Sequence, residues 1–520
     1  MSKKTKKTLA IVGIIAVVLI ICFLIANYFA KQKLESMVAN LPENIQLQYE
    51  AADISVLSGS VTLEKPLLSI KGKTTQSTNA KIKLESFTIE DLSYWDLIFN
   101  ANINLDRIVL NAPEITYFHN KLIKNEAYKG SGNAKLKQDV NVKSFEILNA
   151  SIEVFDQASD SLIFKTNNLE FKLEGISVNA ETLASKLPLE FKDLTFSTKN
   201  LKFQTNEFDD LYVDSISVTK THSKFSGVAI KTKYSKSELS QRIKKERDHF
   251  DVTIASAEVF EQDAGFHGDS IFDFRSKKVL INGLKLNVYR DKLVADDPTR
   301  KDLYSKMLRE LKFNLALDEL LIEESSILYE EKVKQDKPAG ELQFGQLEAS
   351  MLNVGNTYEA PVEIEISTNF MKSTPLKVNW DFDVQDVNDH FIFKADLGLL
   401  KAEDLNPFMT PNLNITLDGE LNKTFFTIDA NANTGSIDLK TDYAQFDINI
   451  LKGDGKDKNK LLSGIVNLFV AKTSQKKEDD YRYGNAENVE RDKTKSVFNF
   501  VWLNAKSGLL SAMTGGGKKE

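Results

Sequence analysis

The stretch Asn104 to Phe118, NLDRIVLNAPEITYF, returns 37 residues later as NVKSFEILNASIEVF. Without a gap, Leu105, Ile108, Leu110, Ile115 and Tyr117 fall on Val142, Phe145, Ile147, Ile152 and Val154, and only Ala112, which falls on Asn149, changes character. A third copy, LALDELLIEESSILYE from Leu315, puts Leu317, Leu320, Ile322, Ile327 and Tyr329 at the same offsets, and a partial fourth, FDVTIASAEVF, keeps Phe250, Val252, Ala257 and Val259. In each copy apolar residues alternate singly, slip phase once and alternate again. Period two belongs to a pleated strand whose faces see different surroundings. The phrase therefore predicts two short strands joined through a bend, and its recurrence predicts an extended, repetitive β body.

At 520 residues the chain exceeds one ordinary core, so several domains or one elongated body are expected. Its 67 basic and 74 acidic residues are mixed along the chain and sum to −7, which offers no basic field for nucleic acid. The single cysteine, Cys22, excludes an intramolecular disulfide and a cysteine-based metal cluster.

Leu9 to Ala26, LAIVGIIAVVLIICFLIA, runs 18 residues without a charge, and Tyr28 and Phe29 extend it. At ~1.5 Å per residue this reaches roughly the ~30 Å of a bilayer core. Lys3, Lys4, Lys6 and Lys7 precede the run against Lys31 and Lys33 after it, so the positive-inside rule keeps the amino terminus cytoplasmic and exports the rest. The run passes into ANYFAKQKLE rather than a small-x-small cleavage site, which predicts an uncleaved anchor through residues 9–29 rather than a signal peptide.

Short alternating runs separated by Asn, Asp, Gly and Ser fill most of the exported part and predict antiparallel β structure. A short amphipathic helix is expected from Leu34 to Asn40. SKSELSQRIKKERDHF (Ser235 to Phe250) and DPTRKDLYSKMLRELKF (Asp297 to Phe313) predict two helices, the second starting at Pro298 behind an Asp297 cap. The expected divisions are an anchor at 1–33, a β-repeat region at 34–233, a helix-interrupted β module at 234–312, and a second β-repeat region at 313–452. The last division, 453–520, contains the helix LLSGIVNLFVA, a mobile polar loop over KTSQKKEDDYRYGNAENVERDKTK, and an apolar C-terminal segment.

Catalytic signatures are missing from the sequence. The five histidines have no metal-ligand spacing, and no nucleophile elbow, P-loop or dinucleotide fingerprint occurs. Adjacent acids such as Asp209 and Asp210 point to opposite strand faces and read as solvated charges. The expectation is a protein that is not an enzyme and uses no cofactor or metal.

An antiparallel sheet with one apolar face must pack on another sheet, close into a barrel, or line a groove filled by something else. Repeats over several hundred residues, with few helices to cover them, favour the groove, and acyl lipid is the commonest apolar guest of an envelope. The anchor, the Ser58 to Leu63 SGSVTL hairpin, the repeated phrase, DLNPF at Asp404 to Phe408, the run from GELNKTFFTI to Ile448 and the closing RDKTKSVFNFVWLNAKSGLL resemble the AsmA-like proteins of Gram-negative envelopes, and within them the smaller Bacteroidota-type members. The resemblance covers nearly the whole chain and implies an inner-membrane protein with a periplasmic, taco-shaped β-groove that helps move phospholipid between the inner and outer membranes.

The expected fold is thus mainly β: a transmembrane helix, then an elongated antiparallel β-groove with a few short helices. The residues expected to line the groove are Ile108, Leu110, Ile115, Tyr117, Phe145, Ile147, Ile152, Val154, Leu320, Ile322, Ile327 and Tyr329, while Arg107, Glu114 and Thr116 should point away. Expected partners are phospholipid or another acyl lipid, the inner membrane, and an outer-membrane or periplasmic protein that completes the route. Two rival readings stand beside this one: an outer-membrane protein assembly factor working through an open sheet edge, and a structural envelope scaffold with its faces packed on each other.

Overall fold

The computed structural model describes residues 24, 27–36, 38–72, 77–93, 96, 102–120, 138–267, 271–452, 474, 481–515 and 517. Most of the 9–26 run and the helix expected over LLSGIVNLFVA lie outside them. Among the described residues no helix is long and apolar enough to cross a membrane. Residues 27–36, 38 and 39 are helical, which covers most of the short helix expected before Pro42. The chain is mainly β and divides into two compact units, Met1–Gln204 with Tyr212–Lys220, and Thr205–Leu211 with Thr221–Glu520.

The first unit begins with eight strands that work as four. They are β1 (Ile45–Gln48) and β2 (Ala51–Ser55), β3 (Ser60–Glu64) and β4 (Leu67–Lys71), β5 (Thr78–Lys83) and β6 (Ser86–Glu90), β7 (Asn102–Asn111) and β8 (Glu114–His119). Each pair is one long strand interrupted by two residues. The halves form two ladders, β2–β3–β6–β7 and β1–β4–β5–β8. Both ladders meet on β9 (Asp139–Asp156), which pairs onward with β10 (Leu162–Val178), and β10 with β11 (Asp193–Gln204).

The phase slip read in the sequence is a left-handed bend in mid-strand. Ala112, Asn149, Asn168 and Asn200 have φ of 46°, 54°, 49° and 53°. This conformation costs most side chains about 1–2 kcal/mol, and Asn tolerates it best because its short amide bonds locally. Here the Asn168 amide donates to the Asn149 side-chain oxygen at 3.1 Å. Buried hydroxyls repair the ladder beside the bends: Thr166 and Thr198 Oγ1 lie within hydrogen-bond distance of each other and of the Lys199 and Asn167 carbonyls, at 3.2 and 3.1 Å, and share their two protons among these three contacts. Such bulges bend the strand and raise its twist.

One expectation is corrected at this point: the sheet is not antiparallel throughout. The first two copies of the phrase lie side by side and parallel, and each residue of β7 and β8 pairs with the residue 37 places later in β9. Parallel neighbours need a long crossover, and 19 residues separate β8 from β9 in the sequence.

A further strand, β12 (Asp209–Thr219), is divided between the two units along the chain. The second unit repeats the construction. Its strands are β13 (His222–Thr232), β14 (Asp248–Phe260), β15 (Asp263–His267), β16 (Ile271–Asn282), β17 (Lys285–Asp291), β18 (Asn314–Lys332), β19 (Gly340–Gly355), β20 (Val362–Phe370), β21 (Thr374–Phe382), β22 (Phe391–Leu397), β23 (Leu400–Lys401), β24 (Ile415–Ala430), β25 (Thr434–Ile450) and β26 (Arg482–Glu490). β16 and β17 are a broken strand running parallel to β18, as β7 and β8 run to β9. They form a copy of the phrase, KVLINGLKLNVY, that the sequence comparison missed. In this copy Val279, Ile281, Leu286 and Val288 face Leu320, Ile322, Ile327 and Tyr329, and Gly283 (φ 67°) takes the bend position of Ala112.

Even the bonds at the bend recur. Ala112 N–H donates to Leu148 O at 2.8 Å as Gly283 N–H does to Glu323 O at 3.0 Å. Asn149 N–H donates to the Glu170 carboxylate as Glu324 N–H does to Glu348, both at 3.0 Å. The fragment FDVTIASAEVF is β14, which runs antiparallel to this copy, so it shares the rungs but not the direction of the phrase.

Both expected helices are shorter than their patterns suggested. The first, α1, is Lys236–Arg242, closed by a Ser235–Glu238 capping box. The second, α2, is Tyr304–Arg309; Asp297 accepts from Thr299 and Lys301 in a turn instead of capping a helix at Pro298. A third, α3, is Asn406–Leu413. The stretch read as a mobile loop contains β26, paired along β25. Asp209 and Asp210 are buried rather than solvated: Asp209 accepts from Thr232 and pairs with Arg247, and Asp210 pairs with Lys233 at 3.4 Å.

The C-terminal segment is the helix α4 (Val497–Thr514), which packs on β24, β25 and β26. Its contact is close because Gly484 has no side chain: a Cβ there would lie 2.0 Å from the Gly508 carbonyl oxygen.

Candidate functional site

Cross-strand partners share a face of the sheet, so the registers assemble the apolar faces directly. In the first unit Ile54, Val61, Ile89, Ile108 and Phe145 follow one another across β2, β3, β6, β7 and β9, and the rung continues to Leu173 and Leu194. The next rung runs through Leu63, Phe87, Leu110 and Ile147 to Phe171 and Phe196. Beyond the bend, Leu68, Ile82, Ile115 and Ile152 form a third rung, and Ile70, Ala80, Tyr117, Val154 and Phe164 a fourth. At ~4.8 Å per strand, the seven-stranded first rung spans roughly 29 Å.

All eight first-unit residues expected to line a groove lie on these four rungs, and all eight are half-buried. Among the described residues of this unit, the element pairs in close backbone contact are hydrogen-bonded neighbouring strands. Val142, Leu173 and Ile176 form a buried cluster, and Ile108, Phe145, Phe171, Leu189 and Phe191 are among the side chains packed against it.

The opposite face is polar. Arg107 donates to Glu146 at 2.5 Å and lies 3.8 Å from Glu90, and Glu114 lies 3.8 Å from Lys83. The hydrogen bond from Arg107 holds the Glu146 carboxyl below its ordinary range against the opposing effect of burial. Thr116 sits opposite Lys81 and Glu153. The alternation read from the sequence therefore sorts Ile108, Leu110, Ile115 and Tyr117 from Arg107, Glu114 and Thr116 in register.

In the second unit the remaining four residues, Leu320, Ile322, Ile327 and Tyr329, are half-buried on rungs of the same kind. The rung of Leu320 begins at Val259 and Val279, passes through Met351 and Ile364, and reaches Trp380, Phe393, Ile428 and Ile437. Its character changes on the way. Val259, Val279 and Leu320 are half-buried, whereas Trp380, Phe393, Ile428 and Ile437 belong to a closed core with Leu303, Val497, Phe500 and Ala512. The cover is α4 together with the segment around α2.

Other clusters carry less. The charged pocket at Glu246, Arg247, Asp248, Arg290, Asp297 and Lys301 has its cations paired, Arg247 with Asp209 outside the lining, Arg290 with Asp248 at 2.7 Å and Lys301 with Asp297 at 2.9 Å, which makes it a structural ion network. No group of metal-ligating side chains occurs among the described residues. Sequence reasoning missed Val279, Ile281, Leu286 and Val288 as rung members. Their spacing around Gly283 was the available signal, hidden because Gly replaces the Ala, Asn or Glu at the bend of the other copies.

The chain matches no protein-family model and no curated protein sequence.

Proposed function

We propose that this protein is anchored in an inner membrane by residues 9–29, faces the periplasm, and binds phospholipid acyl chains on its half-buried apolar rungs to assist their transfer toward the outer membrane. The observation that carries this reading is the set of apolar rungs on which all eight first-unit groove residues stay half-buried rather than closed into a core. Such a face needs an apolar guest, and an acyl chain supplies one: exposing it to water would cost ~0.8 kcal/mol per CH₂, which contact with Ile, Leu and Phe side chains offsets. Headgroups would stay at the wet rim. The step is passive and forms no covalent bond. The likeness to AsmA-like proteins points the same way.

The assembly-factor reading gains little. β1 and β2 have one hydrogen-bonded neighbour each among the described strands, but they are four and five residues long with a break between them, and short edges pair poorly. The scaffold reading, with the faces packed on each other, predicts no lipid at either face, and photo-crosslinking separates it from ours.

The test places photo-crosslinking side chains in the full-length protein in cells. Crosslinkers at Ile108, Leu110, Ile115 and Tyr117 should capture lipid, identified by mass spectrometry, and those at Glu114 and Thr116 should not. Equal capture on both faces would end the groove reading, and capture of a β-barrel protein at β1 or β2 would favour the assembly factor.

A further inference from the structure

We infer that the turn between β2 and β3, tipped by Leu57, is the point at which this protein touches the phospholipid bilayer, and that the apolar face opens there for lipid intake. The inference rests on the membrane-anchored reading given above. Leu57 is 85 % exposed, the most exposed large apolar side chain among the described residues. Its position is not free. The Asn27 side-chain oxygen accepts the Val56 backbone N–H at 2.8 Å, and Asn27 is the residue that follows the uncharged run ending at Ala26. If that run spans the hydrocarbon core, the next residue stands at its boundary, and the hydrogen bond places Val56 and Leu57 at the same level.

The other side of the turn is fixed as well. Gly59 is left-handed, with φ 67°, and a Cβ there would lie 2.6 Å from the Leu92 carbonyl oxygen. Leu92 N–H donates to Gly59 O at 3.0 Å. Tyr28 and Phe29, beside Asn27, are also mostly exposed, at 60 % and 62 %, and aromatic rings at this depth suit a headgroup region. The apolar face starts within four residues of the tip, because Ile54 and Val61 are partners on the first rung and Ser55 and Ser60 close the hairpin. An acyl chain leaving the bilayer beside Leu57 would therefore meet Ile54 and Val61 first.

The experiment uses the full-length chain in nanodiscs of phosphatidylethanolamine and phosphatidylglycerol, with Cys22→Ala removing the native thiol. An environment-sensitive fluorophore is attached through Leu57→Cys or, as control, Ser159→Cys on the exposed β9–β10 hairpin at the opposite end of the strands. With lipids carrying a nitroxide on the acyl chain, the probe at 57 should be blue-shifted and quenched while the probe at 159 is neither. Quenching at 57 no greater than at 159 would overturn the inference. The outcome is separable from the lipid-transfer reading: crosslinked lipid at Leu110 with an unquenched probe at 57 sinks only the contact point, and a quenched probe with no crosslinked lipid sinks only the transport.

Discussion

On the rung of Ile108 the side chains from Ile54 to Phe145 are all half-buried, while on the rung of Trp380 those from Trp380 to Ile437 are closed off beneath α4. The strands are built alike in both places, with apolar residues in register and left-handed bends along their length. What differs is the cover, which comes from a helix about 60 residues beyond Ile437 in the chain. Burial is thus a property of the partner surface and not of the strand, so one kind of ladder can serve as a core in one region and remain available to a guest in another. The second unit contains both conditions on a single rung, which lets the comparison be tested without changing the local backbone.

The largest difference is expected from one charge placed at two points of one rung. Ile322, Ala349, Ile366 and Val378 are successive partners, Ile322 half-buried and Val378 buried. Val378→Asp should cost roughly 4 kcal/mol or more, because an ionised carboxylate would lie in a closed core, and urea denaturation should show the loss of cooperative unfolding. Ile322→Asp should leave the midpoint within a small shift and instead abolish lipid capture, as should Leu110→Asp and Ile147→Asp. Similar destabilisation at both positions would mean that the cover contributes little.

Removing part of the cover should rank next. Phe500, buried against Phe391, is expected to lose about 3–5 kcal/mol on Phe500→Ala. Trp502, on the outer side of the same helix and 41 % exposed, should lose less than about 1 kcal/mol on Trp502→Ala. Thermal unfolding of the two variants separates the faces of α4.

A smaller effect concerns how the cover is held. Lys495, directly before the Ser496 cap of α4, donates to Glu246 at 3.0 Å and to Asp296 at 2.8 Å. Burial alone would raise the Glu246 carboxyl, but the hydrogen bonds and charges of Lys292 and Lys495 prevail and hold it below its ordinary value. A depressed carboxyl stabilises the fold above the unfolded pKa and loses that contribution as pH falls through the folded one. The benefit of Glu246 over Glu246→Gln should therefore be full at neutral pH, begin to shrink near the ordinary glutamate value of ~4.3, and vanish in stronger acid. Hydrogen exchange of the α4 amides as a function of pH reads this directly, and a constant difference between the two proteins would refute it.

The smallest expected effects lie at the bends, where the two units should behave alike. Asn149→Gly keeps the left-handed backbone and should change stability by less than about 1 kcal/mol. Gly283→Ala must accept both φ 67° and a Cβ 2.8 Å from that of Ala255, and should cost about 1–2 kcal/mol or slightly more. Chemical denaturation that ranks them the other way would separate the two modules.

Much of the strand architecture was legible because alternation is a local consequence of the pleat. The slip between Leu110 and Ile115 announced a bend, and the spacing of 37 between copies became the pairing offset of β7 and β8 with β9. The parallel direction was not legible, since period two is the same whichever way a neighbour runs. The helices were overcalled for a related reason: Asp297 and Pro298 have the chemistry of a helix start, but Asp297 spends its carboxylate on Thr299 and Lys301 in a turn. β26 was missed because an edge strand needs few apolar residues when β25 and α4 supply its partners.

By itself, then, the sequence determined which residues share a strand face, where the strands bend, and that no local catalytic pattern accompanies them, all of which depend on neighbours a few positions apart. Only the tertiary structure decided which stretches of apolar face are closed and which are left half-exposed. Covering Ile437 with Phe500 and Ala512, or seating Val56 on Asn27, brings together residues far apart in the chain. Long-range contacts of that kind depend on how complete elements pack, which a periodic pattern along the chain does not encode.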